Sequence, residues 1–135
     1  MFVSRVEITA VGILGGIVYG ALELLWRGRT HWSMLIVGGL GFLFLYLISA
    51  VERLPLWKKW ILGVLVITTL ELLAGMLLNL RLGWAVWDYS KEPLNLGGQI
   101  CALYILFWSI LWFPANFLCA AIRRLFRRIR NSYSR

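Results

Sequence analysis

The sequence is poor in the groups that most protein chemistry draws on. It holds one histidine, two cysteines and six acidic residues among 135. His31 has no cysteine or carboxylate at ligand spacing, so no protein-built metal site is expected, and the imidazole reads as a hydrogen-bonding group at a membrane interface. Cys101 and Cys119 fall on one expected helix, about 27 Å apart along its axis, too far to bridge. They say nothing of redox compartment. The chain also lacks a P-loop, a dinucleotide fingerprint, G-x-S-x-G, H-E-x-x-H and C-x-x-C. It therefore has no Walker site at which to hydrolyse ATP. No cofactor and no catalytic residue is expected, and the motor of any energised transporter containing this chain must sit on another subunit.

What the sequence has in excess is apolar length. Hydrophobic residues make up 61% and mean hydropathy is +0.78, well above the apolar share of a soluble domain. Four runs, at 6–26, 33–51, 59–80 and 97–122, reach the roughly 20 residues that cross a hydrocarbon core of about 30 Å. The expected fold is all-α, an integral membrane bundle of four transmembrane helices over residues 1–122, followed by a basic tail at 123–135. The first run is too long for a signal-peptide core, carries Glu23 and has no small-residue cleavage pattern, so it is expected to be retained.

The net charge of +8 is unevenly placed. Ten basic residues lie before the first run, between the second and third, or after the fourth, namely Arg5, Arg53, Lys58, Lys59 and the six arginines from Arg123 onward. Four lie in the opposite loops, at Arg27, Arg29, Arg81 and Lys91. The positive-inside rule puts both termini in the cytoplasm and the first and third loops outside. The arginine-rich tail, with Leu125, Phe126 and Ile129 interleaved, reads as a topology anchor and an amphipathic continuation attracted to anionic lipid rather than as a nucleic-acid patch, fraying by Asn131.

Polar residues inside the runs are the candidate functional groups. In the first run, Gly12, Gly16 and Gly20 form a small-residue stripe for close helix approach. Tyr19 and Glu23 flank it, and Arg27 follows Glu23 by four residues, giving either a local ion pair or the lining of an outward cavity. In the second, Gly38, Gly39 and Gly41 again allow close approach. In the third, Thr68, Glu71, Gly75 and Asn79 share one helix face. An isolated carboxylate at the depth of Glu71 stays charged only if a cation or several donors meet it. It is either hydrogen-bonded glue between helices or part of a ligand or ion site. The third loop carries Trp84, Trp87, Asp88, Tyr89, Glu92 and Asn95. Trp84 and Trp87 suit a short amphipathic turn on the membrane surface, and Asp88 and Glu92 could instead pair with Arg27 and Arg29 across the outer loops. In the fourth run Pro114 is a candidate kink, and Trp108 and Trp112 read as packing. The outer polar set of Tyr19, Glu23, Arg27, His31, Asn79, Trp87, Asp88, Tyr89 and Asn95, over Glu71, is expected to form an outward-facing pocket.

Several of these residues also carry a resemblance. Tyr19 with Glu23, Arg27-Gly28, Thr30-His31-Trp32-Ser33-Met34, Gly38-Gly39, and Ile67-Thr68 with Glu71, Gly75 and Asn79 form its first part. Val86-Trp87-Asp88-Tyr89-Ser90 follows, with Pro93, Asn95 and Gly97-x-Gln99-Ile100-Cys101. Together they resemble the Putative ABC-transporter type IV family of small bacterial membrane proteins. The resemblance spans roughly Ile13 to Trp112 and leaves the arginine-rich tail outside. Gly41 stands where the family pattern leads one to expect cysteine. The resemblance implies a membrane component of a transporter, expected in the lipid bilayer of a bacterial inner membrane with a separate ATPase subunit as a candidate partner, and the small size of the chain adds the expectation of a homo-oligomer or a larger complex. The polar residues by themselves also leave open an intramembrane enzyme on a lipid-linked head group, with His31, Asp88 or Glu71 in acid–base roles, and a non-transporting accessory or assembly protein.

Overall fold

The structure, a computed structural model, describes residues 3–134. Four helices account for most of it: α1 (Arg5–Arg27), α2 (Trp32–Ala50), α3 (Leu56–Gly75) and α4 (Ala102–Tyr133). Ser4 caps α1 by accepting the Glu7 N–H at 3.1 Å, and Gly28 closes it with its N–H on the Leu24 carbonyl. His31 caps α2 with its side chain on the Ser33 N–H. Pro55 opens α3, where its missing N–H costs nothing. Beyond Gly75 the helix widens into a π-helical segment, Met76–Arg81, and the continuous span runs from Leu56 to Arg81.

Each of the four is long and apolar enough to cross a membrane, with mean hydropathy between 1.9 and 2.3. Their outer faces carry the apolar side chains that a soluble protein would bury. Val6, Leu25 and Phe117 are 73%, 86% and 74% exposed. Apolar exposure on that scale marks a lipid-facing surface.

The fourth apolar run does not become helical where it begins. Asn95–Leu96 (β1) and Ile100–Cys101 (β2) pair as a two-residue antiparallel hairpin, Asn95 opposite Cys101 and Leu96 opposite Ile100. Gly97 and Gly98 turn it with φ of +58° and +71°, a region costly for a residue with a Cβ. The helix therefore starts at Ala102 rather than Gly97, and Cys101 lies in β2, apart from the helix of Cys119. Both thiols are free and buried. At its other end α4 continues through Asn131 to Tyr133 instead of fraying. Its 32 residues measure about 48 Å, well beyond a hydrocarbon core of about 30 Å.

The tightest helix contact is between α1 and α2. A Cβ on Gly16 would sit 2.6 Å from the Leu35 carbonyl oxygen, and one on Gly39 would sit 2.6 Å from that of Gly12. Backbone thus meets backbone. Gly12 itself has open space where its Cβ would be, so it contributes a carbonyl rather than a gap. On the other flank, the indole of Trp112 on α4 rests against Gly63 of α3.

At the end of the bundle where α1 begins, one polar network ties all four helices. The Tyr46 hydroxyl donates to Glu7 Oε1, and the Arg123 guanidinium lies 5.2 Å over the Tyr46 ring and donates to Ser49 Oγ and the Tyr46 carbonyl. Lys59 Nζ donates to the Ser49 carbonyl at 2.8 Å. Beside it packs a core of Val11, Leu45, Tyr46, Trp112 and Cys119. Arg123 and Lys59, which read in the sequence only as topology charges, are here structural donors.

Gly39→Ala is expected to lower the unfolding midpoint in detergent by several degrees. It must push two backbones apart, an overpacking cost of about 1–3 kcal/mol. Gly12→Ala is expected to leave the midpoint unchanged or slightly raised, because its methyl meets nothing and alanine favours helix. Thermal unfolding of the two variants side by side checks this.

Candidate functional site

Tyr19, Glu23 and Arg27 recur every four residues along α1 and so share one face. Glu23 and Arg27 form a close ion pair in which the carboxylate is 7% and the guanidinium 20% exposed. Arg27 also donates from Nη1 to the Val86 carbonyl at 3.3 Å, which ties α1 to the third loop. Glu23 Oε1 is buried and has no hydrogen-bond partner.

Glu71, on α3, is 7% exposed. Its Oε1 accepts from the Tyr89 hydroxyl and its Oε2 from Trp108 Nε1, each at 2.9 Å. Both donors are neutral. The Tyr89 ring in turn stacks on Tyr104 with centroids 4.4 Å apart and planes 13° from parallel. Trp26 packs edge-on against Phe107 at 5.5 Å, and its indole N–H reaches the Tyr104 hydroxyl at 3.4 Å.

The third loop is brought into this position by Asn79. The π-helical turn presents its amide to residues 86, 87 and 99. Oδ1 accepts the Val86 N–H at 2.7 Å and the Trp87 N–H at 3.4 Å, while Nδ2 donates to Gln99 Oε1 at 2.9 Å. The Trp87 indole N–H completes the clasp on the Gln99 carbonyl at 3.0 Å. Gly75 makes room for it, since a Cβ there would lie 2.5 Å from Gln99 Oε1 and 3.0 Å from the Trp87 ring. Ala85 is held at φ +49°, a conformation that costs on the order of 1–3 kcal/mol for a residue other than glycine. The bonds to Asn79 immediately after it offset that strain. Asn95 fastens the far end of the loop, donating to the Ser90 and Glu92 carbonyls and accepting the Gly98 N–H.

Between α1 and α4 these groups enclose a cavity of about 510 Å3, with Tyr19, Glu23 and Arg27 on one wall, Tyr104, Phe107 and Trp108 on the other, Glu71 behind, and Trp87 and Tyr89 above. Leu25 and Ile110 also line it and are 86% and 58% exposed, so the cavity opens sideways onto the lipid-facing surface. A second cavity of about 370 Å3 continues into the apolar middle of the bundle, with Tyr19, Leu22, Met34, Glu71, Trp108 and Leu111 common to both.

The structure thus places Tyr19, Glu23, Arg27, Glu71, Trp87 and Tyr89 around one cavity and leaves His31, Asn79, Asp88 and Asn95 off its walls. His31 caps α2, with Nδ1 2.6 Å from Ser33 Oγ, and packs against Trp32 and Trp84. Asn79 and Asn95 shape the loop rather than line the space. Asp88 is exposed, and the Ser90 backbone N–H at 2.8 Å holds its carboxyl below the ordinary carboxylate range. Two expectations for the loop are corrected. Trp84 and Trp87 do not share a surface-lying turn, because Trp87 is buried and Trp84 is exposed. The link from Arg27 to the loop goes to the Val86 carbonyl, while Asp88 turns to its own backbone.

Sequence reasoning passed over Trp108 as packing and did not place Gln99, Trp26, Tyr104 or Phe107 in the site. One signal was present: an indole N–H deep in hydrocarbon needs an acceptor, and Tyr104 and Trp108 lie one helical turn apart on the same face. Among the described residues no group of three or more His, Cys, Asp or Glu is placed to hold a metal.

A family model described as Putative ABC-transporter type IV matches residues 8–134. The match takes in the arginine-rich end of α4, which the sequence resemblance had left outside. No curated protein and no solved structure matches the chain.

Asn79→Ala is expected to destabilise the third loop by about 1–3 kcal/mol, by stranding the Val86 N–H and the Gln99 amide. Hydrogen exchange should quicken across residues 84–99 and stay unchanged in the α1–α2 contact.

Proposed function

The chain belongs to the Putative ABC-transporter type IV family, and from that membership we propose that it is the membrane component of a transport system whose cargo binds in the cleft between α1 and α4. The observation that carries this reading is the cavity itself. It has about 510 Å3, within the range of small-molecule sites, is apolar along most of its wall, opens toward lipid and is polar where Glu71, Glu23 and Arg27 meet. The Trp87-Asp88-Tyr89 segment covers its outer end. Without a nucleotide site of its own, the component draws energy from a separate ATPase subunit or from an ion gradient. His31 and Asp88 lie off the cavity wall, which favours transport over acid–base chemistry on a lipid head group.

In this reading the protein sits in a bacterial inner membrane with both termini in the cytoplasm, and the cleft and third loop face outward. The ten-to-four distribution of basic residues supports that orientation. A fluorescent protein that folds only in the cytoplasm, fused after Arg135, is expected to be bright, and a periplasm-dependent phosphatase fused there inactive. The reverse pattern would invert the orientation.

The rival reading is an accessory protein in which Glu71 only joins helices. It is favoured by the two donors that already satisfy the carboxylate. Glu71→Gln and Glu71→Ala distinguish the two. For a binding site, both variants are expected to reach normal membrane levels and to lose, by tenfold or more in affinity, a thermal shift that the unmutated protein shows with some member of a panel of amphipathic amines, acids and neutral lipids. If Glu71→Gln behaves as the unmutated protein does and Glu71→Ala merely destabilises, the carboxylate is structural.

A further inference from the structure

We infer that the cleft is built for a lipophilic organic cation, an amine or quaternary onium group carried on an apolar body, entering sideways from the bilayer between α1 and α4. The inference rests on the reading that this cavity holds the cargo, and adds its chemical class.

Charge is the first argument. The cavity wall carries two carboxylates and one guanidinium. Arg27 is committed to Glu23 through Nη2 and to the Val86 carbonyl through Nη1. Glu71 has only the neutral Tyr89 hydroxyl and Trp108 N–H as hydrogen-bond partners. Neutral donors satisfy its lone pairs but supply no charge, and a carboxyl so buried keeps its own charge best with a cation beside it, which an ammonium or onium ligand would supply. Glu23 adds a second acceptor. It is 93% buried by its 7% exposure, it lines the cavity, and its Oε1 has no partner. An ammonium N–H placed between α1 and α3 would compete for the Glu23 carboxylate with the neutral Tyr19 hydroxyl and with the guanidinium already on its other oxygen. An anionic head group would meet both carboxylates, and the one guanidinium already carries the charge of Glu23, with only its Nε left without a hydrogen-bond partner.

The walls are the second argument. Tyr19, Trp26, Tyr89, Tyr104, Phe107 and Trp108 surround the polar centre, and ring faces attract cations, quaternary ammonium groups included. Aromatic walls solvate a poorly hydrated, spread-out charge and do little for a compact metal ion, which asks for several oxygens. The apolar volume is the third. The adjoining space of about 370 Å3, reached past Tyr19, Leu22 and Trp108, takes a hydrophobic body, and the exposed Leu25 and Ile110 at the mouth place its access in the membrane rather than in water.

The test uses the full chain in nanodiscs of zwitterionic lipid, with tetraphenylphosphonium and tetraphenylborate as probes. These ions share shape and hydrophobicity and differ in the sign of charge. Binding is read by quenching of tryptophan fluorescence against empty nanodiscs. Tetraphenylphosphonium is expected to bind saturably and tetraphenylborate not to. Glu71→Gln is expected to weaken the cation at least tenfold, and Glu92→Gln, in the loop away from the cavity, to leave it unchanged. The proposal is overturned if the anion binds as well as the cation, if the cation shows no saturable binding, or if Glu71→Gln binds it as the unmutated protein does. The comparison of the two probes on the unmutated protein holds even if Glu71→Gln fails to fold. Should the cation fail while an amphipathic acid or neutral lipid still gives a Glu71-dependent thermal shift, the cation class falls and the transport reading stands. Should nothing in that panel depend on Glu71, the cleft as a cargo site falls with it.

Discussion

Inside a hydrocarbon slab no water is available to complete a hydrogen bond, so each polar group must find its partner in the protein. Glu71 sets that demand for this bundle. Its two oxygens take the Tyr89 hydroxyl and the Trp108 indole N–H, and Tyr89 belongs to a loop that in a simpler bundle would cross over in solvent. To deliver that hydroxyl the loop has to fold inward. It does so because α3 widens into a π-helical turn that offers Asn79 to the backbone at Val86 and Trp87. Extra residues of this kind in a helix frequently accompany functional sites. Here the widened turn is what lets one amide organise a loop and a hairpin together.

The cleft follows from where the glycines are. Gly16 and Gly39 bring α1 against α2 until carbonyl meets Cα. A helix drawn that closely to one neighbour is drawn away from the other, and the flank bearing Tyr19, Glu23 and Trp26 faces α4 across open space. Aromatic rings bridge part of the gap at the end near the third loop, through Trp26 on Phe107 and Tyr104. The same small residues that a dimerising pair of helices uses for affinity here leave a cavity in a chain of only 135 residues.

Much of this was legible in the sequence, for physical reasons that differ from one element to the next. The spans could be read because hydropathy over 20 residues is a strong signal, and Glu71 stood out because a carboxylate in such a run is costly. The glycine stripes pointed to a close helix contact, although the partner carbonyls, and the open position at Gly12, depend on how α1 and α2 are set against each other. The start of α4 was not legible. Gly97 and Gly98 lie at the edge of an apolar run, and hydropathy does not distinguish a hairpin from a first helical turn. His31, Asp88 and Asn95 were grouped with the cavity residues because all lie toward one end of the bundle. Direction within that end is set by Asn79 and Gln99, a contact across 20 residues of chain that no local pattern encodes. Glu7 and Tyr46 went unremarked because each sits near the edge of a span, where a polar residue is ordinary.

The two ends of the bundle are bonded unequally, and this bears on how a cleft can exist without weakening the whole. At one end Glu7, Tyr46, Ser49, Lys59 and Arg123 join all four helices in one network beside a buried core. At the other, the contacts that reach from α1 toward α4 among the described residues are aromatic: a long indole-to-phenol bond at 3.4 Å, the packing of Trp26 on Phe107, and Tyr19 beside Trp108 with centroids 6.1 Å apart. Arg27 reaches only as far as the loop. Separating α1 from α4 therefore costs least where the cavity lies, and the strongly bonded end preserves the helix arrangement. A site that admits a bulky molecule from the side needs that inequality. It must yield along one seam, and the remaining contacts, glycine against carbonyl between α1 and α2 and indole against glycine between α3 and α4, must hold while it does.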